Sequence, residues 1–168
     1  MTVQDMQAAV DTAIELLCAE TPPLDFNDVH ERSIAHRLAV HLEPEFEDWN
    51  VDCEYDRDGL VRKSVLGIAQ CDSRKATDKI LPDIIVHNRQ KSGREHNLLV
   101  IEMKKNASAD ACDQKKLELL TNPTGHYQYQ LGLYLNVDGG RFVPTWFKDG
   151  RLLDVCQRAF KRGRLRVI

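Results

Sequence analysis

Apolar residues recur at every third or fourth position from Val3 through Met6, Val10, Ile14 and Leu17, which predicts an amphipathic helix over residues 3–19. Thr21-Pro22-Pro23 ends it, because proline lacks a backbone donor and restricts the residue before it. A second helix is predicted from an N-cap at Asn27 or Asp28 to about Leu42, with Ile34, Leu38 and Leu42 as its stripe and Pro44 closing it. Glu31 precedes Ile34 by one turn and shares roughly that apolar face, where an unpaired charge is costly. From Trp49 the period becomes two: Val51, Cys53 and Tyr55 alternate with Asp52, Glu54 and Asp56, as in a strand. Residues 57–79 hold no sustained period, apart from a short ribbon expected within Leu60–Ile68. The β-branched run Ile80–His87 and the segment Leu98–Lys104 read as two strands of a hairpin around the polar loop Asn88–His96. Ser108 is placed to cap a helix to about Leu120, and Asn122-Pro123 stops it. Tyr127–Val137 reads as a strand. Arg141–Phe147 and Arg151–Val155, joined by Asp149-Gly150, read as a terminal hairpin whose first strand Pro144 marks as an edge.

The resulting order is α-α-β-loop-β-β-α-β-β-β, an α/β class. A length of 168 residues suits one domain. No apolar run approaches the ~20 residues of a membrane span. The opening Met-Thr-Val-Gln-Asp lacks the basic and apolar regions of a signal peptide. Five scattered cysteines form no C-x-x-C pair and six histidines form no H-x-x-x-H pair, which disfavours a disulfide scaffold and a zinc site. A cytoplasmic protein with reduced thiols is expected. No glycine-rich phosphate loop and no glycine-flanked serine elbow are present.

Charge is distributed unevenly around a net of −3. Residues 1–31 hold seven acids and no Lys or Arg, so all 23 bases lie beyond Glu31. The last eleven residues carry Arg158, Lys161, Arg162, Arg164 and Arg166 without an acid. Other bases gather in loops, at Arg62-Lys63, Arg74-Lys75, Lys79, Arg89, Lys91, Arg94 and Lys104-Lys105. Such groups suit phosphate contacts, although a solvated basic surface has the same composition.

The chemistry concentrates in Pro82-Asp83 and Glu102-Met103-Lys104. Residues two apart on a strand share a face, so Glu102 and Lys104 project together while Ile101 and Met103 turn to the core. Hairpin pairing brings Asp83 beside them. Two acids and a lysine on apolar strands need a metal or a charge partner to offset desolvation. They suit metal-assisted phosphodiester hydrolysis: carboxylates are hard ligands for Mg²⁺, the ion acidifies water, and a lysine orients or deprotonates the nucleophile.

Pro82-Asp83, eighteen intervening residues and Glu102-Met103-Lys104, set at strand ends behind a helix with Glu31, resemble the PD-(D/E)XK nuclease superfamily. The resemblance spans about residues 27–137. It implies a restriction-endonuclease-like core, α-β-β-β-α-β, with a central mixed sheet flanked by helices, an extra N-terminal helix and a C-terminal hairpin. It further implies Asp83 and Glu102 as ligands of Mg²⁺ or Mn²⁺, with the Met103 main-chain carbonyl, and Lys104 as the catalytic lysine. Glu31 matches a helical acid near the metal, or else is an exposed first-turn glutamate that complements the helix dipole. Asp113, Lys115 and Lys116 begin the next helix, where Lys116 has either a phosphate-binding or supporting role or a place on a solvated face. Gln130 and Tyr134 match the Q-x-x-x-Y pattern of the RecB-like branch, and the same residues also suit an ordinary sheet strand.

The expected function is a metal-dependent nuclease, on DNA in preference to RNA, with a homodimer expected if both strands are cut. The alternative is a catalytically silent protein of the same fold that serves binding or assembly and docks a protein partner through the acidic N-terminal helix. A plain surface ion pair between Glu102 and Lys104 is the third possibility, worth little energetically.

Overall fold

A computed structural model describes residues 1–55, 57–58, 61–62, 80–106, 111–153, 158–161 and 164–167, with side-chain surroundings for 1–55, 80–106 and 111–153. The first helix, α1 (Val3–Cys18), opens with a capping box: Asp5 N–H donates to Thr2 Oγ1 and Thr2 N–H to Asp5 Oδ2. Met6, Val10, Ala13, Ile14 and Leu17 form its buried stripe, as the periodicity predicts. Helix α2 (Glu31–Leu42) starts later than expected, with His30 and not Asn27 or Asp28 at its N-cap. The reason is local. Asp25 accepts from Asn27 N–H through its side chain and from Asp28 and Val29 N–H through its carbonyl, so those residues are spent on a tight turn. Pro44 lies beyond Leu42, in a 3-10 turn over Glu43–Phe46.

The strands are β1 (Asn50–Cys53), β2 (Arg57–Asp58), β3 (Val61–Arg62), β4 (Ile84–His87), β5 (Asn97–Lys105), β6 (Leu131–Asp138), β7 (Arg141–Lys148), β8 (Arg151–Leu152), β9 (Arg158–Lys161) and β10 (Arg164–Val167). Helix α3 (Ala111–Thr121) connects β5 to β6, which pair in parallel. The main sheet runs β1-β4-β5-β6-β7-β9-β10, with β8 beside β7; all its other pairings are antiparallel, so it is mixed. β2 and β3 form a separate ribbon that meets the expected Leu60–Ile68 element only at Val61–Arg62; the remainder, like the Ser108 cap, lies outside the described residues.

Three strand boundaries differ from the periodic reading. The ladder of β4 begins at Ile84, because Pro82 has no donor and the Asp83 side chain is engaged elsewhere. The ladder of β6 begins at Leu131, because Gln128 takes φ 54° and Tyr129 N–H turns to the Leu120 carbonyl. β7 is internal rather than an edge. Pro144 faces Leu135 of β6, and on the other side it falls between the positions paired with β9 (Arg141, Phe142) and with β8 (Phe147, Lys148), where no donor is required.

Helices flank the sheet on both faces. α1 and α2 cover Ile84, Val86, Leu99, Ile101, Met103, Leu133 and Leu135. α3 covers Ile85, Val100, Tyr134 and Phe147 with Leu117 and Leu120. Its close approach depends on Gly132, where a Cβ would lie 2.9 Å from Thr121 Cγ2. Among the described residues no helix is long and apolar enough to cross a membrane.

Candidate active site

β5 outruns β4. The last ladder pair is Ile84 with Ile101, so Asp83 comes opposite Glu102, and Met103 to Lys105 extend beyond the end of β4. Backbone donors there would be bare on the β4 side, and carboxylates take them. Met103 N–H donates to Asp83 Oδ2 at 2.7 Å, and Lys105 N–H donates to Glu31 Oε2 at 2.8 Å. Glu31 stands there because it is the first residue of α2. Lys105 fixes the same junction, its Nζ donating to the carbonyls of Asn27 (2.6 Å) and Val29 (2.7 Å). N–H and C=O of one residue point to the same side of a strand, so the Met103 carbonyl also faces the Asp83 side.

On the α3 face of β5 stand Glu102 and Lys104, and α3 brings up Asp113 and Lys116. The Lys116 ammonium lies 2.6 Å from Glu102 Oε2 and 2.8 Å from Asp113 Oδ1, with only 7% of its side chain exposed. Lys104 Nζ lies 3.2 Å from Asp113 Oδ2 and is one-third exposed, at the lip of the cluster. Asp113 is thus the shared anchor of both lysines. Its i,i+3 spacing to Lys116, on the helix face that also carries Leu117 and Leu120, is the signal that marks these residues as inward-facing rather than solvated. Lys115 turns away and pairs with Glu118 on the exposed side.

Four carboxyl groups, Glu31, Asp83, Glu102 and Asp113, gather here with the amines of Lys104, Lys105 and Lys116. Complete burial pushes the Glu102 carboxyl up to about 8, against the opposing pull of Lys116. Burial also raises Asp83, helped by Glu31 and countered by the Met103 N–H bond. Asp113 pays a burial penalty too, yet Lys116 and Lys104 hold it below the ordinary carboxylate range. Lys116 is raised, since Glu102 and Asp113 outweigh its own desolvation. Glu102 Oε1 is buried without a hydrogen-bond partner.

Among the described residues no three His, Cys, Asp or Glu side chains stand as a ready-made metal cage. The donors nevertheless suit a hard divalent cation. Glu102 offers an unpaired buried oxygen, Asp83 lies close by with a raised pKa, and the Met103 carbonyl faces the same side. A cleft of about 210 Å³ opens beside Asp83, lined by Arg32, Ala35, His36, Cys53 and Glu54.

Tyr134, buried, stands opposite Glu102 on the same face of β6. Gln130 is not brought near: it lies before β6 at the far end of the sheet, where its Nε2 donates to the Arg94 carbonyl at 3.0 Å. Asn136, which the sequence did not single out, is in register with Lys104, and its Oδ1 is buried without a partner. Of the basic loop residues, Arg89 pairs with Asp52 and Arg94 with Asp149, whereas Arg74, Lys75 and Lys79 lie outside the described residues. Comparison of the chain with protein-family models, curated proteins and solved structures finds no match.

Proposed function

We propose that this chain is a metal-dependent nuclease of the PD-(D/E)XK type, hydrolysing phosphodiester bonds, with DNA as substrate. The observation that carries it is the set of groups at the end of β5: the Asp83 carboxylate on Met103 N–H at 2.7 Å, Glu102 Oε1 buried and unpaired, and Lys104 two residues along the same face as Glu102. The element order α2, β1, β4, β5, α3, β6 is compatible with the restriction-endonuclease-like core.

Asp83, Glu102 and the Met103 carbonyl would hold one Mg²⁺ or Mn²⁺, and Glu31 would support the ion through water. Bound there, the ion supplies Lewis acidity that lowers the pKa of water and offsets charge developing on the phosphoryl oxygens. Lys104, at the lip, positions the attacking water and contacts the phosphate. Asp113 holds the Lys104 ammonium in place. Lys116 offsets part of the charge of Glu102 and Asp113, which limits their mutual repulsion in a desolvated site.

One observation favours the silent-module alternative: Lys116 already satisfies Glu102 Oε2, so the buried ion network is complete enough to be purely structural. Calorimetric titration with Mn²⁺ separates the two. The nuclease binds Mn²⁺ and loses that binding on Asp83→Asn, and nicks supercoiled plasmid in Mg²⁺ but not in EDTA. A binding module does neither.

A further inference from the structure

Two strands of the basic C-terminal stretch, β9 and β10, have a register position relative to β5. On β7, Phe142 belongs to the core under α1 and α2, and alternation therefore puts Arg141, Val143 and Thr145 on the α3 face. That face also carries Glu102 and Lys104. Register continues across the sheet in rows: Glu102 with Tyr134 and Thr145, then Lys104 with Asn136 and Val143. The next row is Asp138, Arg141, Lys161 and Arg164, on β6, β7, β9 and β10. Arg166 follows Arg164 at the next same-face position of β10.

Three consecutive strands thus contribute a base to one row, at the end of the sheet where β5 presents its acids. Asp138, the acid of this row, lies at the β6 end. Arg141 and Asp138 are exposed, and Val143 and Thr145 are half-buried. With strands about 4.8 Å apart and about 3.3 Å per residue along them, Arg141 lies roughly 12 Å and Arg164 roughly 20 Å from Lys104, backbone to backbone. Duplex DNA rises 3.4 Å per base pair, so this span corresponds to roughly four to six base pairs.

We infer that the Arg141–Lys161–Arg164 row is a docking track for the phosphate backbone of duplex DNA, which it holds beside the Glu102–Lys104 site. The inference rests on the nuclease reading for its substrate, and on charge complementarity and register for its place. A row of point charges on strands binds phosphate without reading bases, so the contact is independent of sequence. Three bases at one register position concentrate positive charge locally in a protein whose net charge is acidic.

The test measures binding of a fluorescein-labelled DNA duplex by fluorescence anisotropy, in Ca²⁺ to suppress turnover, across a salt series. It compares wild type, the Arg141→Gln/Lys161→Gln/Arg164→Gln variant and an equal-charge control, Lys91→Gln/Lys148→Gln/Arg151→Gln. The row variant is expected to bind at least about tenfold more weakly, with the slope of log K against log salt reduced by about two to three. The control and Mn²⁺ affinity stay unchanged. If neutralising all three destabilises the fold, Arg141→Gln alone is expected to reduce the slope by about one. No binding by wild type, unchanged binding by the row variant, or equal loss in the control overturns the inference, as does capture of phosphatidylserine vesicles but not DNA. Cleavage by wild type with unchanged binding by the row variant removes the track and leaves the nuclease. Binding through the row without cleavage does the reverse.

Discussion

Lys116→Met isolates the charge at the centre of the cluster. Methionine keeps the length and the packing of the stem and removes the ammonium that lies 2.6 Å from Glu102 and 2.8 Å from Asp113. Stripping one member from a buried ion pair costs about 3–5 kcal/mol, because the remaining charge keeps its desolvation penalty. At about 2–4 °C per kcal/mol for a domain of this size, the melting temperature should fall by roughly 6–20 °C near pH 8.5. The deficit should shrink near pH 5.5, because Glu102, pushed up to about 8, then keeps its proton and strands less charge. Adding Glu102→Gln should recover most of the loss, with a coupling of at least about 2 kcal/mol between the two sites. Circular-dichroism melts of the four proteins at both pH values measure all of this. A Lys116→Met protein within about 2 °C of wild type at both pH values, or a deficit that grows as pH falls, refutes the burial argument.

Other consequences follow from single residues. Glu102 alone should change the pH dependence of stability. Its folded pKa is raised from 4.5 to about 8, so the folded protein holds a proton that the unfolded chain has lost between those values. Its stabilising contribution is full below about pH 4.5 and is lost as pH rises through about 8, and Glu102→Gln should flatten that part of the curve in urea titrations. Gly132→Ala should cost about 1–3 kcal/mol by forcing α3 off β6, since the new Cβ meets Thr121 Cγ2 at 2.9 Å; an unchanged denaturation midpoint contradicts that contact.

The approach of Asp83 to the end of β5 was legible because it follows from two properties of strands: a period of two, and antiparallel pairing of successive strands joined by one polar loop, Asn88–His96. The inward face of α3 was legible in part, since Asp113, Lys116, Leu117 and Leu120 repeat at helical spacing, but a short helix with two bases and two acids also reads as solvated. Contacts made across long stretches of chain were not legible. Tyr134 and Asn136 reach Glu102 and Lys104 only through the parallel β5–β6 pairing, which no local pattern specifies. The start of α2 was missed because Asp25, Asn27 and Asp28 have the chemistry of a helix cap and of a tight turn alike, and the turn took them. The row on β7, β9 and β10 needed three registers at once, so the basic tail could be counted but not placed.

The most direct test of the nuclease proposal is single-turnover cleavage of DNA in Mg²⁺ by wild type and by Lys104→Ala, whose lysine lies one-third exposed at the lip of the cluster. On the nuclease proposal a positioned ammonium is worth about 10²–10⁴-fold in rate, so cleavage by wild type, sensitive to EDTA, should fall by at least about 10²-fold in the variant while the protein stays folded. Cleavage by both proteins at equal rates, or none by wild type in either Mg²⁺ or Mn²⁺, would contradict it.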